Sequence, residues 1–94
     1  MDIAQVYLEL LPSGSYLMRV GPPGWKFGDP YDLIAILLDN GNGQCEIRGL
    51  DKKVMPSHWR GIKQCLAHAG YKEVIFDRCK DGIVIHHTLQ IPPI

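Results

Sequence analysis

The chain has too few cysteines to be stapled by disulfides. Cys45, Cys65 and Cys79 are the only three in 94 residues, an odd number at wide spacings. No pair stands at the C-x-x-C spacing of zinc or redox sites, so free thiols in a reducing compartment are expected. An excess of charge of one sign is also lacking: ten acidic and ten basic residues cancel. A neutral chain has no long-range field to draw it to nucleic acid, and the sequence carries no strong nucleic-acid signal. Long apolar runs are missing too. Leu33 to Leu38 is the longest, far short of the roughly 20 residues that span a bilayer, so no membrane association is expected. The opening Met1-Asp2-Ile3-Ala4-Gln5 has no basic stretch followed by an apolar one. No leader peptide is therefore expected, and the expected location is the cytoplasm. The G-x-S-x-G, H-E-x-x-H and G-x-x-x-x-G-K signatures of hydrolases, zinc proteases and nucleotide-binding loops do not occur.

What is present suits one packed domain spanning residues 1–94. Hydrophobic residues make up 46% and charged residues 21% of the chain, enough to build a core and too apolar for disorder. Ile3 to Leu11 alternates, with Ala4, Val6, Leu8 and Leu10 on one side, which is the period of a half-buried strand. Pro12-Ser13-Gly14-Ser15 turns the chain into a second strand, Tyr16 to Val20. Gly21-Pro22-Pro23-Gly24 then breaks regular structure, and the irregular stretch runs to Pro30 with Trp25 and Phe27 placed to cover one end of the core. Leu33 to Leu38 is apolar at every position, which predicts a central strand covered on both sides. Asn40-Gly41-Asn42-Gly43 predicts a tight turn into a fourth strand over Gln44 to Leu50.

One helix is expected. It begins near Pro56, ends at Gly70, and carries a stripe of Trp59, Ile62, Leu66 and Ala69, with Cys65 at its edge. Arg60, Lys63, Gln64 and Ala67 fall on the opposite side. Lys72 to Cys79 and Ile83 to Ile91 form a final hairpin about Asp81-Gly82, a dipeptide suited to positive φ. A two-residue turn there pairs Phe76 with His87 and Asp77 with His86. Val74, Phe76, Ile85, His87 and Leu89 then share a face assigned to the core, and Asp77 and His86 share the other. The expected fold is α+β: a mainly antiparallel sheet of about six strands with one main helix packed on it, in the order β-β-β-β-α-β-β.

Candidate sites are few. His58, Cys65 and His68 lie on the helix, and His86 and His87 point to opposite sides of a strand, so no metal site is expected. No catalytic residue and no cofactor are assigned. The two glycine-rich turns do not feed a helix N-terminus, which is what equips such loops to hold phosphate. The most suggestive polar group is basic: Arg48, Lys52, Lys53, Arg60 and Lys63 flank the helix start, where an anionic partner would be favoured. The competing reading is a solvated face with Asp51 among them.

The residues Pro56-Ser57-His58-Trp59-Arg60-Gly61-Ile62, the helix ending Ala69-Gly70-Tyr71, and Lys72-Glu73-Val74-Ile75-Phe76-Asp77-Arg78 bear a family likeness. The stretch Met55 to Leu89 resembles the later half of a GNAT-type acetyltransferase domain, and also short uncharacterised proteins of phages and prophages. That family holds the acetyl-CoA pyrophosphate on a Gln/Arg-x-x-Gly-x-Gly/Ala loop ahead of this helix. Here only Arg60-Gly61 echoes the loop, its second glycine position is unmatched, and the early helices are missing. The resemblance implies an acetyltransferase-like topology more than acetyl transfer. The function expected is that of a small non-enzymatic binding or structural accessory protein of phage or prophage kind. Its partner would be a protein or a second copy of the chain. The alternative is a truncated acyl-CoA-dependent transferase.

Overall fold

Local signals in the sequence set where each element begins and ends. The computed structural model describes residues 3–50 and 52–93. It contains β1 (Gln5–Leu10), β2 (Tyr16–Gly21), β3 (Leu33–Gly41), β4 (Gln44–Arg48), α1 (Pro56–His68), β5 (Glu73–Lys80) and β6 (Ile83–Gln90). The strands form one sheet in the order β1-β2-β3-β4-β5-β6. Every neighbouring pair is antiparallel except β4 and β5, which run parallel because α1 carries the chain back across the sheet between them. The expected α+β architecture is therefore the observed one.

The two hairpins that the sequence predicts are present with the required backbone. Asn42 and Gly43 have φ of 55° and 77°, and Asp81 and Gly82 have φ of 54° and 78°. Asn, Asp and Gly tolerate these left-handed values. The last hairpin keeps the expected register, with Lys80 opposite Ile83, Asp77 opposite His86 and Phe76 opposite His87. The helix starts with Pro56 at its first turn and Met55 as N-cap. It closes with Gly70 at φ 93°, where Gly70 donates to the Ala67 carbonyl and Tyr71 to the Leu66 carbonyl. This is the paired hydrogen-bond ending that a left-handed glycine permits.

The core lies between α1 and one face of the sheet. Met18, Val20, Leu37, Cys45, Ile47 and Val74 meet Ile62 and Leu66 there, all fully buried. The helix buries a face turned away from the expected stripe. His58, Gly61, Ile62 and Leu66 are its buried residues, while Trp59 is only partly covered and Ala69 is exposed. The cause is Gly61: a Cβ at that position would lie 2.2 Å from the Ala4 carbonyl oxygen. Lack of a side chain lets α1 sit directly on the chain entering β1, and Ala4 donates its N–H to the Ser57 carbonyl at 3.0 Å. Trp59 instead lies over β5, its ring centroid 4.7 Å from that of Phe76. At the far end of the core Trp25 is buried, as expected, and its indole N–H donates to the Asp29 carbonyl at 2.8 Å.

Other expectations of cover fail as well: Phe27, placed with Trp25 over the core end, is 61% exposed. The strand β3 is not covered on both sides. Leu33, Ala35 and Leu37 face the helix and are buried, whereas Ile34, on the other face, is 38% exposed and Ile36 and Leu38 are only partly buried. Ile85 lies on the expected face yet is 40% exposed, and His87, on the same face, is not in the core either. It stacks on Phe76 with centroids 5.0 Å apart and remains exposed. The helix runs nearest β1 and β2, and of β6 only Leu89 packs against the core.

The tight contact at Gly61 yields a test. Gly61→Ala should gain about 1 kcal/mol of helix propensity yet lose more through the clash with Ala4. Overpacking of this kind costs roughly 1–3 kcal/mol. The urea midpoint is expected to fall, and a rise would show that α1 does not press on β1.

Candidate functional site

The five basic residues do not converge. Arg48 lies opposite Ile36 and so projects from the face away from the helix, where its Nε donates to Glu46 Oε2 at 2.5 Å. Arg60 and Lys63 belong to α1 on the other side of the sheet. Lys52 and Lys53 are exposed in the connection between β4 and α1, and the Lys52 carbonyl accepts a hydrogen bond from Arg78 at 3.0 Å. Asp51 lies outside the described residues. The sheet thus stands between Arg48 and the helix residues Arg60 and Lys63.

What occupies the helix start is a histidine that sequence reasoning assigned only to a possible metal set. His58 is buried between two partners. Its Nδ1 accepts the Met55 N–H at 3.0 Å, which fixes the proton on Nε2, and Nε2–H donates to Asp32 Oδ2 at 3.0 Å. Both ring nitrogens are engaged, so this Asp–His pair clamps the start of α1 to the entry of β3 and has no free nitrogen for catalysis. A polar residue in the helix's first turn after Pro56 was the available signal, but the partner Asp32 is 26 residues distant.

A second Asp–His pair lies on the open face. Asp77 Oδ1 and His86 Nδ1 are 2.5 Å apart, both side chains well exposed. The register places Cys79 on the same face. The pair sits on an open strand surface with no enclosing cleft, and no group of three or more His, Cys, Asp or Glu side chains among the described residues is placed to hold a metal. A cross-strand polar pair of this kind contributes under about 1 kcal/mol.

At the opposite end of the sheet, Leu8, Tyr16, Asp39 and Tyr71 line a shallow groove of about 540 Å³ with the β3–β4 turn and the end of α1. Its one carboxylate is already committed: Asp39 Oδ1 accepts the Gly41 N–H at 2.7 Å. Burial first, then the negative Asp39, pushes the Tyr71 hydroxyl up to about 12. Burial and Asp39 likewise push the Cys45 thiol from 9.0 to about 12, and burial raises Cys65. These groups are held neutral and carry no nucleophile.

The remaining feature is the uncovered face of the sheet itself. Leu17, Ile34, Ile36 and Leu38 form an apolar centre across β2 and β3, and Glu46 and Arg48 on β4 separate it from Ile75 on β5. Polar pairs border it: Arg19 with Glu9 at 2.7 Å, Arg48 with Glu46, and His86 with Asp77. The hydrogen bond from Arg48, and then that from Asn40, hold the Glu46 carboxyl below its ordinary value. At one corner Phe27 folds from the β2–β3 loop onto Tyr7, 4.8 Å between centroids, with the Arg19 guanidinium 5.2 Å from its ring. No helix among the described residues is long and apolar enough to cross a membrane. In comparison with known proteins, no family model, no curated protein and no solved structure matches this chain.

The raised Cys45 and Tyr71 predict alkaline sensitivity. Unfolded, these groups ionise near 9.0 and 10.0; folded, only near 12. Stability is then fully present below about pH 9 and falls as pH climbs toward 12, because the unfolded chain releases protons that the folded one retains. The urea midpoint should decline over that window, and Cys45→Ala should flatten the decline. A decline of equal steepness in Cys45→Ala would contradict the assignment. In the native protein, exposed Cys79 should react with a thiol reagent well before Cys45.

Proposed function

We propose that the chain is a small non-enzymatic accessory protein that binds another polypeptide through the uncovered face of its sheet. The observation that carries this reading is the apolar patch of Leu17, Ile34, Ile36 and Leu38, which no layer covers among the described residues and which the Arg19–Glu9 and Arg48–Glu46 pairs border. Contiguous exposed apolar patches on small proteins mark interaction surfaces. The absence of a converged nucleophile, base and cleft among the described residues agrees with a binding role, and so does the neutral state of the buried thiol and phenol. The resemblance of Met55 to Leu89 to short phage and prophage proteins supports reading it as an accessory component of that kind.

The alternative is a truncated acyl-CoA-dependent transferase. It rests on the sequence resemblance and on the order β-β-β-β-α-β-β. Against it stand Gly61, which serves the helix–strand contact inside α1, and the His58 side chain bonded across the helix start.

Two measurements separate the readings. Ile34→Lys should change stability by less than about 1 kcal/mol, since exposed substitutions away from caps and cores usually do, while lowering the fluorescence of a bound apolar dye. A loss of several kcal/mol would mean that the face belongs to the folding core. Acetyl-CoA and coenzyme A should leave the melting temperature unchanged. Ligand at 100 times its Kd adds about 2.7 kcal/mol, a shift of roughly ten degrees or more in a domain of this size. An upward shift of that order would favour the transferase.

A further inference from the structure

The β6 edge lacks the devices that keep strands from pairing with other chains. Such edges are ordinarily short, bulged, charged or interrupted by proline. β6 runs eight residues, Ile83–Gln90, contains no Lys, Arg, Asp, Glu or Pro, and keeps one unbroken register with β5. Ile83, Val84 and Ile85 are 64%, 57% and 40% exposed, so apolar side chains are open on both faces of the strand.

The direction of its free hydrogen-bonding groups follows from the ladder. A tight two-residue turn bonds the Ile83 N–H to the Lys80 carbonyl, and at the other end Ile91 donates to the Lys72 carbonyl at 2.8 Å. Alternation along an antiparallel pair then turns the backbone of odd-numbered residues from 83 to 91 toward β5. The N–H and C=O groups of Val84, His86, Thr88 and Gln90 point away from the sheet.

We propose that this edge pairs antiparallel with β6 of a second copy, joining two sheets about a two-fold axis. A second copy fits for three reasons. An antiparallel strand related by a two-fold presents the same row of donors and acceptors to itself, so the contact closes as a dimer. β6 contains no Lys, Arg, Asp or Glu and the acidic and basic residues of the whole chain balance, so no fixed charge of one sign on the strand opposes the approach. The other edge, β1, carries Glu9 engaged with Arg19, and pairing it with β6 would build an open fibre instead of a closed pair. The contact is distinct from the apolar face and does not rest on the function proposed for it.

Sedimentation equilibrium of the full chain tests this at concentrations up to about 1 mM, where even a Kd of that size is visible. The expected result is a species of twice the 10.6 kDa chain mass. Thr88→Pro removes one outward donor without touching the β5 ladder, and Val84→Lys adds the missing charge. Each should weaken association at least about tenfold while leaving the circular dichroism of the monomer unchanged; if Thr88→Pro fails to fold, Val84→Lys decides. A wild type that stays monomeric throughout overturns the proposal. So does a dimer that survives both substitutions. If Ile34→Lys disperses such a dimer, self-association belongs to the open face instead.

Discussion

One helix of 13 residues must cover a sheet of six strands, and the consequences of that mismatch run through the whole molecule. Such a helix is about 20 Å long, and six strands spaced at about 4.8 Å span more than 24 Å. Gly61 sets where the limited cover goes, by letting α1 press on Ala4 beside β1. The helix thus seals Met18, Val20, Leu37 and Ile47 and leaves β6 exposed from Ile83 to Thr88. Trp59 extends the cover by one side chain, over Phe76, and His87 ends the stack in solvent. Among the described residues the face opposite α1 has no layer apart from the corner where Phe27 rests on Tyr7.

Polar interactions hold this arrangement at its ends. His58 joins the helix start to Asp32 through a ring whose two nitrogens are both engaged. The left-handed Gly70 closes the other end and turns the chain into Tyr71 and β5. Asp39 stiffens the β3–β4 turn through the Gly41 N–H and, after burial, adds to the rise of the neighbouring Tyr71 hydroxyl. His58, one of the histidines a metal reading would use, is therefore a fastening.

Much of the fold is legible residue by residue because its signals are local. Alternation marks β1, Asn42-Gly43 and Asp81-Gly82 mark turns by their tolerance of positive φ, and Pro56 and Gly70 mark the helix ends. The register of the last hairpin follows from arithmetic once its turn length is known. Coverage is not legible in the same way. The apolar run Leu33 to Leu38 shows that both faces of β3 are hydrophobic, but periodicity cannot say whether a second layer exists to meet them. The rotation of the helix face escaped because Gly61 and His58 are buried for reasons that hydrophobicity does not measure, close approach in one case and two hydrogen bonds in the other. The basic residues looked like one cluster because they are near in sequence, and the sheet passes between them.

The central claim is that the face bearing Ile34 meets solvent while the face bearing Ile47 does not. Paramagnetic relaxation of the isoleucine methyl groups by a soluble probe measures this directly. The Ile34 methyls should relax much faster than those of Ile47 and Ile62, which are 1% and 0% exposed against 38% for Ile34. Equal protection of all three in the dilute protein would mean that a second layer covers the sheet, and would contradict the account.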